Sequence, residues 1–87
     1  MTDIKPTELV DVRMPKVGHG GLGAVRQWLV AEGDQVRAGD LVAEVELEKA
    51  TVDVESPATG RIVALLVDVD EEVDAGTVIA QLEPGGS

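Results

Sequence analysis

GAVRQWLVAEGDQVRAGDLVAEVE, residues 23–46, lies over GRIVALLVDVDEEVDAGTVIAQLE, residues 60–83, when the chain is shifted by 37 positions. Gly23, Leu29, Val30, Val36, Ala38, Gly39, Ala43 and Glu46 are identical to their counterparts. Val25/Ile62, Leu41/Val78, Val42/Ile79 and Val45/Leu82 exchange one aliphatic side chain for another. A second shift, of 42, lays VDVRMP (10–15) over VDVESP (52–57). Self-similarity at a fixed offset marks a duplicated structural unit. Val-rich strands resemble each other by chance, but glycines and prolines answer specific backbone demands and do not match by accident. The chain therefore reads as two copies of one unit related by a pseudo-dyad. The difference of five between the shifts is one longer loop, Pro15 to Gly23 against Pro57 to Gly60.

The repeat decides the class. Val is the commonest apolar residue, glycines and prolines punctuate the chain at short intervals, and no window carries a capped helical pattern. The expectation is an all-β domain of short strands. The dyad also places parts in space. The connection at 47–51 in the first copy corresponds to the chain ends in the second, so the two belong at opposite ends of the domain. The long loop, 16–22, belongs beside 47–51.

AEVELEKATVDV, residues 43–54, shows how that connection is built. Ala43, Val45 and Leu47 alternate with polar residues, as do Ala50, Val52 and Val54, and the phase breaks once, at Glu48-Lys49. Two half-buried strands joined by a two-residue turn have this pattern. The turn pairs Leu47 with Ala50, Val45 with Val52 and Ala43 with Val54, all on one face, so the register is self-consistent. Glu44 then faces Asp53, a like-charge pair that costs some stability.

Composition excludes several functions. The chain has 87 residues, 17 acidic and 7 basic, a net charge of -10, no cysteine and one aromatic residue, Trp28. That is one small domain with a thin core and no disulfides or thiolate metal sites. The acidity argues against nucleic acid and against an anionic membrane surface. No apolar stretch is long enough to span a bilayer, and MTDIKPTE lacks the layout of a secretion signal, so the expected location is cytoplasmic and the isolated domain a monomer. At 44% hydrophobic residues the chain is too apolar for a disordered acidic tail. Residues 1–8 are expected to be a flexible segment, 9–83 the domain, and 84–87 a flexible tail or the start of a linker.

Lys49 stands out. It is the single base among Asp40, Glu44, Glu46, Glu48, Asp53 and Glu55, at the apex of the hairpin. A turn lysine is ordinarily just solvated. Surrounding carboxylates stabilise a positive charge, the reverse of what a nucleophilic or Schiff-base lysine requires. A functional Lys49 is therefore one that carries a group attached by another enzyme.

VELEKATVDVESPATGRI (45–62), with MPKVG and WLVAEGDQVRAGD upstream and LLV…V..G..IA downstream, resembles the lipoyl-attachment region of the lipoyl domains of 2-oxo acid dehydrogenase complexes. The resemblance covers about residues 9–83. It implies a flattened eight-stranded β-barrel or sandwich of two four-stranded antiparallel sheets with quasi-two-fold symmetry. It also implies a non-catalytic carrier with lipoic acid on Lys49, pyruvate dehydrogenase type foremost, as part of a dihydrolipoyl acyltransferase or dihydrolipoyl dehydrogenase subunit. The implied partners are a thiamine-diphosphate-dependent 2-oxo acid decarboxylase, the acyltransferase, the dihydrolipoyl dehydrogenase, and a lipoate ligase or lipoyl transferase. Recognition would rest on Glu46, Glu48, Ala50 and Thr51, with Gly18, His19 and Gly20 of the loop. Attachment would take the charge to about -11. Two residues depart from the family pattern: Glu48 stands where Asp is usual, and Asp70 where Gly is usual. Glu stabilises turns poorly, while Asp tolerates positive φ better than most residues. The alternatives are a biotin carboxyl carrier domain, whose lysine normally sits between methionines, and an unmodified interaction module on the same fold.

The remaining motifs are read as structural. GHGGLG (18–23) matches G-x-G-x-x-G, but the strand pattern AVRQWLV follows it instead of a helix, which rejects a dinucleotide site. His19 has no second His or Cys to share a metal with. DVDEEVD (68–74) lacks calcium-loop spacing and reads as a solvated turn. Trp28 reads as a core residue.

Overall fold

The computed structural model describes residues 8–16 and 21–85. Eight strands lie among them: β1 (Val10–Arg13), β2 (Leu22–Trp28), β3 (Gln35–Val36), β4 (Leu41–Leu47), β5 (Ala50–Glu55), β6 (Gly60–Leu65), β7 (Glu72–Asp74) and β8 (Val78–Pro84). They form two four-stranded sheets, ordered β1-β8-β6-β3 and β5-β4-β2-β7, with every pairing antiparallel. The fold class expected from the repeat and the resemblance is the one observed.

The pseudo-dyad holds residue by residue. Val10 pairs Leu82 and Val12 pairs Ala80, as Val52 pairs Val45 and Val54 pairs Ala43. Ile62 pairs Leu82 and Leu65 pairs Ala80, as Val25 pairs Val45 and Trp28 pairs Ala43. Bulges recur at equivalent places, between Val25 and Gln27 and between Ile62 and Ala64. The Gly33 amide donates to the Ile62 carbonyl at 2.7 Å, and the Asp70 amide donates to that of Val25 at 2.8 Å. Strand exchange accompanies the symmetry: each half of the chain supplies two strands to each sheet.

The core is aliphatic and likewise built twice. Val25, Ile62, Val45, Leu82, Val42 and Ile79 are fully buried, three dyad-related pairs whose side chains meet between the sheets. Trp28 packs half-buried against them and donates its indole N–H to the Val67 carbonyl at 3.2 Å, which satisfies its one polar atom. The symmetry breaks where Met14 corresponds to Ser56. Both are buried, and the Ser56 hydroxyl donates to the Ala58 carbonyl at 2.7 Å.

Asp70 has φ 71°, the one described non-glycine residue in the left-handed region, and its counterpart Gly33 has φ 97°. The turn is intact, as expected from the tolerance of Asp. A β-branched side chain has no such tolerance. Asp70→Val should destabilise the domain by about 1–2 kcal/mol, while Asp70→Gly should be at least as stable as the parent. Urea denaturation of the two variants checks this, and a Val variant as stable as the parent would contradict it.

Candidate functional site

The site is the β4–β5 hairpin. Leu47 pairs Ala50, Glu46 pairs Thr51, Val45 pairs Val52, and Glu44 faces Asp53, the register the alternation predicts. Neither Glu48 nor Lys49 has positive φ. That excludes the type I′, II′ and II turns, whose centres need a left-handed residue. Glu48 is compatible with this turn, whose centre needs no left-handed residue.

What holds the hairpin lies below it. Leu47 is half-buried against the core. Beneath it, a Cβ on Gly23 would come within 2.7 Å of Leu47 Cδ2 and 2.8 Å of Met14 Sδ. Glycine at 23 lets the Leu47 side chain seat the turn on β2. Gly23→Ala should displace Leu47 and cost roughly 1–3 kcal/mol, the usual penalty of overpacking. Amide hydrogen exchange at Val52, the hydrogen-bonded partner of Val45, should quicken by more than at Leu82, and equal changes at the two sites would refute a local role for Gly23.

Lys49 is exposed at the apex, and among the described residues its side chain makes no hydrogen bond and no ion pair. Glu46, Glu48, Ala50 and Thr51 are exposed around it. Arg26 meets Glu46 at 3.4 Å, a surface pair contributing about 0–1 kcal/mol. Beside the apex is a shallow depression of about 370 Å³, lined by Gly21, Leu22, Glu48 and Glu72. The end of the long loop thus comes out beside the hairpin, as the dyad predicts for residues 21 and 22. Gly18, His19 and Gly20 lie outside the described residues. Among the described residues no group of His, Asp and Glu is arranged to hold a metal, and no helix is long and apolar enough to cross a membrane. Glu72 was not singled out by sequence reasoning. It reaches the site because β7, from the second copy, pairs with β2, Ala24 facing Glu72.

An exposed lysine in a two-residue turn, on a hairpin of a duplicated barrel, presents an amine for modification from outside. The family described as "Biotin-requiring enzyme", the biotin and lipoyl attachment domains, matches residues 10–82. The chain belongs to the biotin/lipoyl attachment family. Within it, the chain is 41% identical over 83% of its length to the dihydrolipoyllysine-residue acetyltransferase component of the pyruvate dehydrogenase complex of Corynebacterium glutamicum. It is 43% identical over 74% of its length to the pyruvate dehydrogenase E1 component subunit beta of Rhizobium meliloti. It spans only 11% and 14% of those two relatives. The urea carboxylase of Kluyveromyces lactis contains a region of the same fold, with a TM-score of 0.75 and 23% identity, covering 94% of this chain and 7% of that one. A carboxylase thus contains the same fold, so the fold alone does not name the attached group.

Proposed function

We propose that the chain is a lipoyl carrier domain of a pyruvate dehydrogenase-type 2-oxo acid dehydrogenase complex, with lipoic acid in amide linkage to Lys49. The observation that carries this reading is Lys49, exposed at the centre of a two-residue turn in a biotin/lipoyl attachment domain and without a side-chain partner among the described residues. An amide there removes a charge that no described residue depends on, so the modification costs the fold no partner. The lipoyl reading is preferred to biotin because Lys49 stands between Glu48 and Ala50 and not between methionines, and because the acetyltransferase relatives bear dihydrolipoyllysine in their names.

Attached to Lys49, the lipoyl group would supply a dithiolane able to take up an acyl group with two electrons and a proton from a thiamine-diphosphate-dependent decarboxylase, to give the acyl group to coenzyme A at an acyltransferase, and to return two electrons and two protons to a flavin-linked dihydrolipoyl dehydrogenase. The residues of the domain position and present. The hairpin, seated by Leu47 on Gly23, holds the root of the arm in its turn, beside the start of β2. Tethering keeps the arm at a high effective concentration near each active site in turn. Glu46, Glu48, Ala50 and Thr51 form part of the surface around the arm that the decarboxylase reads. The setting is cytoplasmic, and the domain is a module of a dihydrolipoyl acyltransferase subunit.

Expression with lipoate and a lipoate ligase, followed by intact-mass measurement, tests the attachment. Incubation with purified pyruvate, 2-oxoglutarate and branched-chain decarboxylases tests the complex. A lipoyl mass increment and efficient acylation by the pyruvate enzyme are expected. A biotinyl increment would overturn the reading in favour of a carboxylase carrier, and acylation by another decarboxylase alone would overturn the choice of complex.

A further inference from the structure

Among the described residues, the depression beside the hairpin is lined by Glu48, from the turn, Glu72, from β7, and Gly21 with Leu22, the first residue of β2. An adjoining hollow of about 230 Å³ continues it along β2 to Ala24 and reaches Leu47 and Glu46 on β4. At about 370 Å³ the larger space is at the small end of the range of ligand sites, ~300–1,000 Å³. Leu22 is 52% exposed, the most exposed large apolar residue of the described chain. A lone exposed leucine needs no explanation. This one lines a concave surface that begins one residue from the attachment lysine.

The geometry points to this depression as a resting seat for the lipoyl arm itself, with the apolar chain and ring laid over Leu22 and Ala24 between Glu48 and Glu72. The inference rests on the carrier reading of Lys49. Two observations favour the arm as the occupant. It is anchored at residue 49, next to the lining residue Glu48, so its occupancy is intramolecular and needs no separate encounter. Its chain and oxidised ring are uncharged, so they can enter between Glu46, Glu48 and Glu72, where an anionic ligand would be repelled. Covering Leu22 removes apolar surface from water. The seat is shallow and open, so a partner enzyme can draw the arm out without unfolding anything.

The test uses the lipoylated domain labelled with nitrogen-15, in which the Lys49 side-chain amide N–H becomes observable by NMR. A seated arm gives this amide an order parameter above about 0.6, the boundary of flexible behaviour, and lipoylation shifts the amide signals of Leu22, Ala24 and Glu72. In Leu22→Ser the order parameter should fall below about 0.6 and the shift changes should shrink to residues 48–50. Leu41→Ser, at the far end of β4, should leave both unchanged. A mobile amide in the parent domain, with shift changes confined to 48–50, would overturn the seat. The two failures are distinguishable: no mass increment on Lys49 refutes the carrier reading, whereas a lipoylated domain with a freely moving arm refutes only the seat.

Discussion

Lys49→Ala yields a folded domain that gains no lipoyl mass and is not reductively acylated. The expected loss is complete, because the variant carries no dithiolane to accept the acyl group. The fold survives because Lys49 is exposed and has no side-chain partner among the described residues, and because position 49 has no positive φ that alanine would resist. Lys49→Arg separates charge from chemistry. It keeps the positive charge, but its guanidinium is not an amine that a ligase can acylate in the same way. Both variants should be inert in the same assay, with circular dichroism and urea midpoints close to the parent. A lipoyl increment that persists in either variant would locate the attachment at another lysine, Lys5 or Lys16.

Ile62→Ala is the second large effect, and it falls on stability. Ile62 is fully buried and pairs with Leu82 at the centre of its sheet, opposite the equivalent pair Val25 and Val45. Truncating a buried isoleucine costs about 2–5 kcal/mol, because the cavity collapses only in part. A chain of this length has roughly 4–13 kcal/mol in total, so a single substitution removes a large share. The melting temperature should fall by roughly 10–30 °C. Val63→Ala, one residue along on the bulge, should cost under about 1 kcal/mol. Thermal and urea unfolding of the pair measures the contrast, and equal losses would mean that the core is not where the dyad places it.

Much of this was legible in the residues. The repeat between 23–46 and 60–83 predicted equivalent registers, and the paired strands obey them, down to Val45 with Val52 against Leu82 with Val10. The phase break at Glu48-Lys49 located the turn, because alternation of period two records which face each residue takes. Other features leave no such record. The bulges beside Arg26 and Val63 insert a residue without any compositional mark. β3 and β7 are only two and three residues long, too short for a periodic signal. Glu72 enters the site through the pairing of β7 with β2, a contact between the two copies that neither copy encodes alone. The buried hydroxyl of Ser56, where the other copy has Met14, is likewise satisfied by a carbonyl two residues on, a local geometry that alignment of the repeats does not reveal.

The exchange of strands between the halves bears on how the domain is made in the cell. β8 is the last strand synthesised, yet it lies between β1 and β6 in its sheet and carries the fully buried Ile79 and Leu82. Until residues 78–84 leave the ribosome, β1 has no neighbour and half of the core has no lid. The nascent chain therefore cannot complete this domain in stages from its first half. Folding is a single late event, and a chain stalled before β8 exposes unpaired strands to whatever it meets.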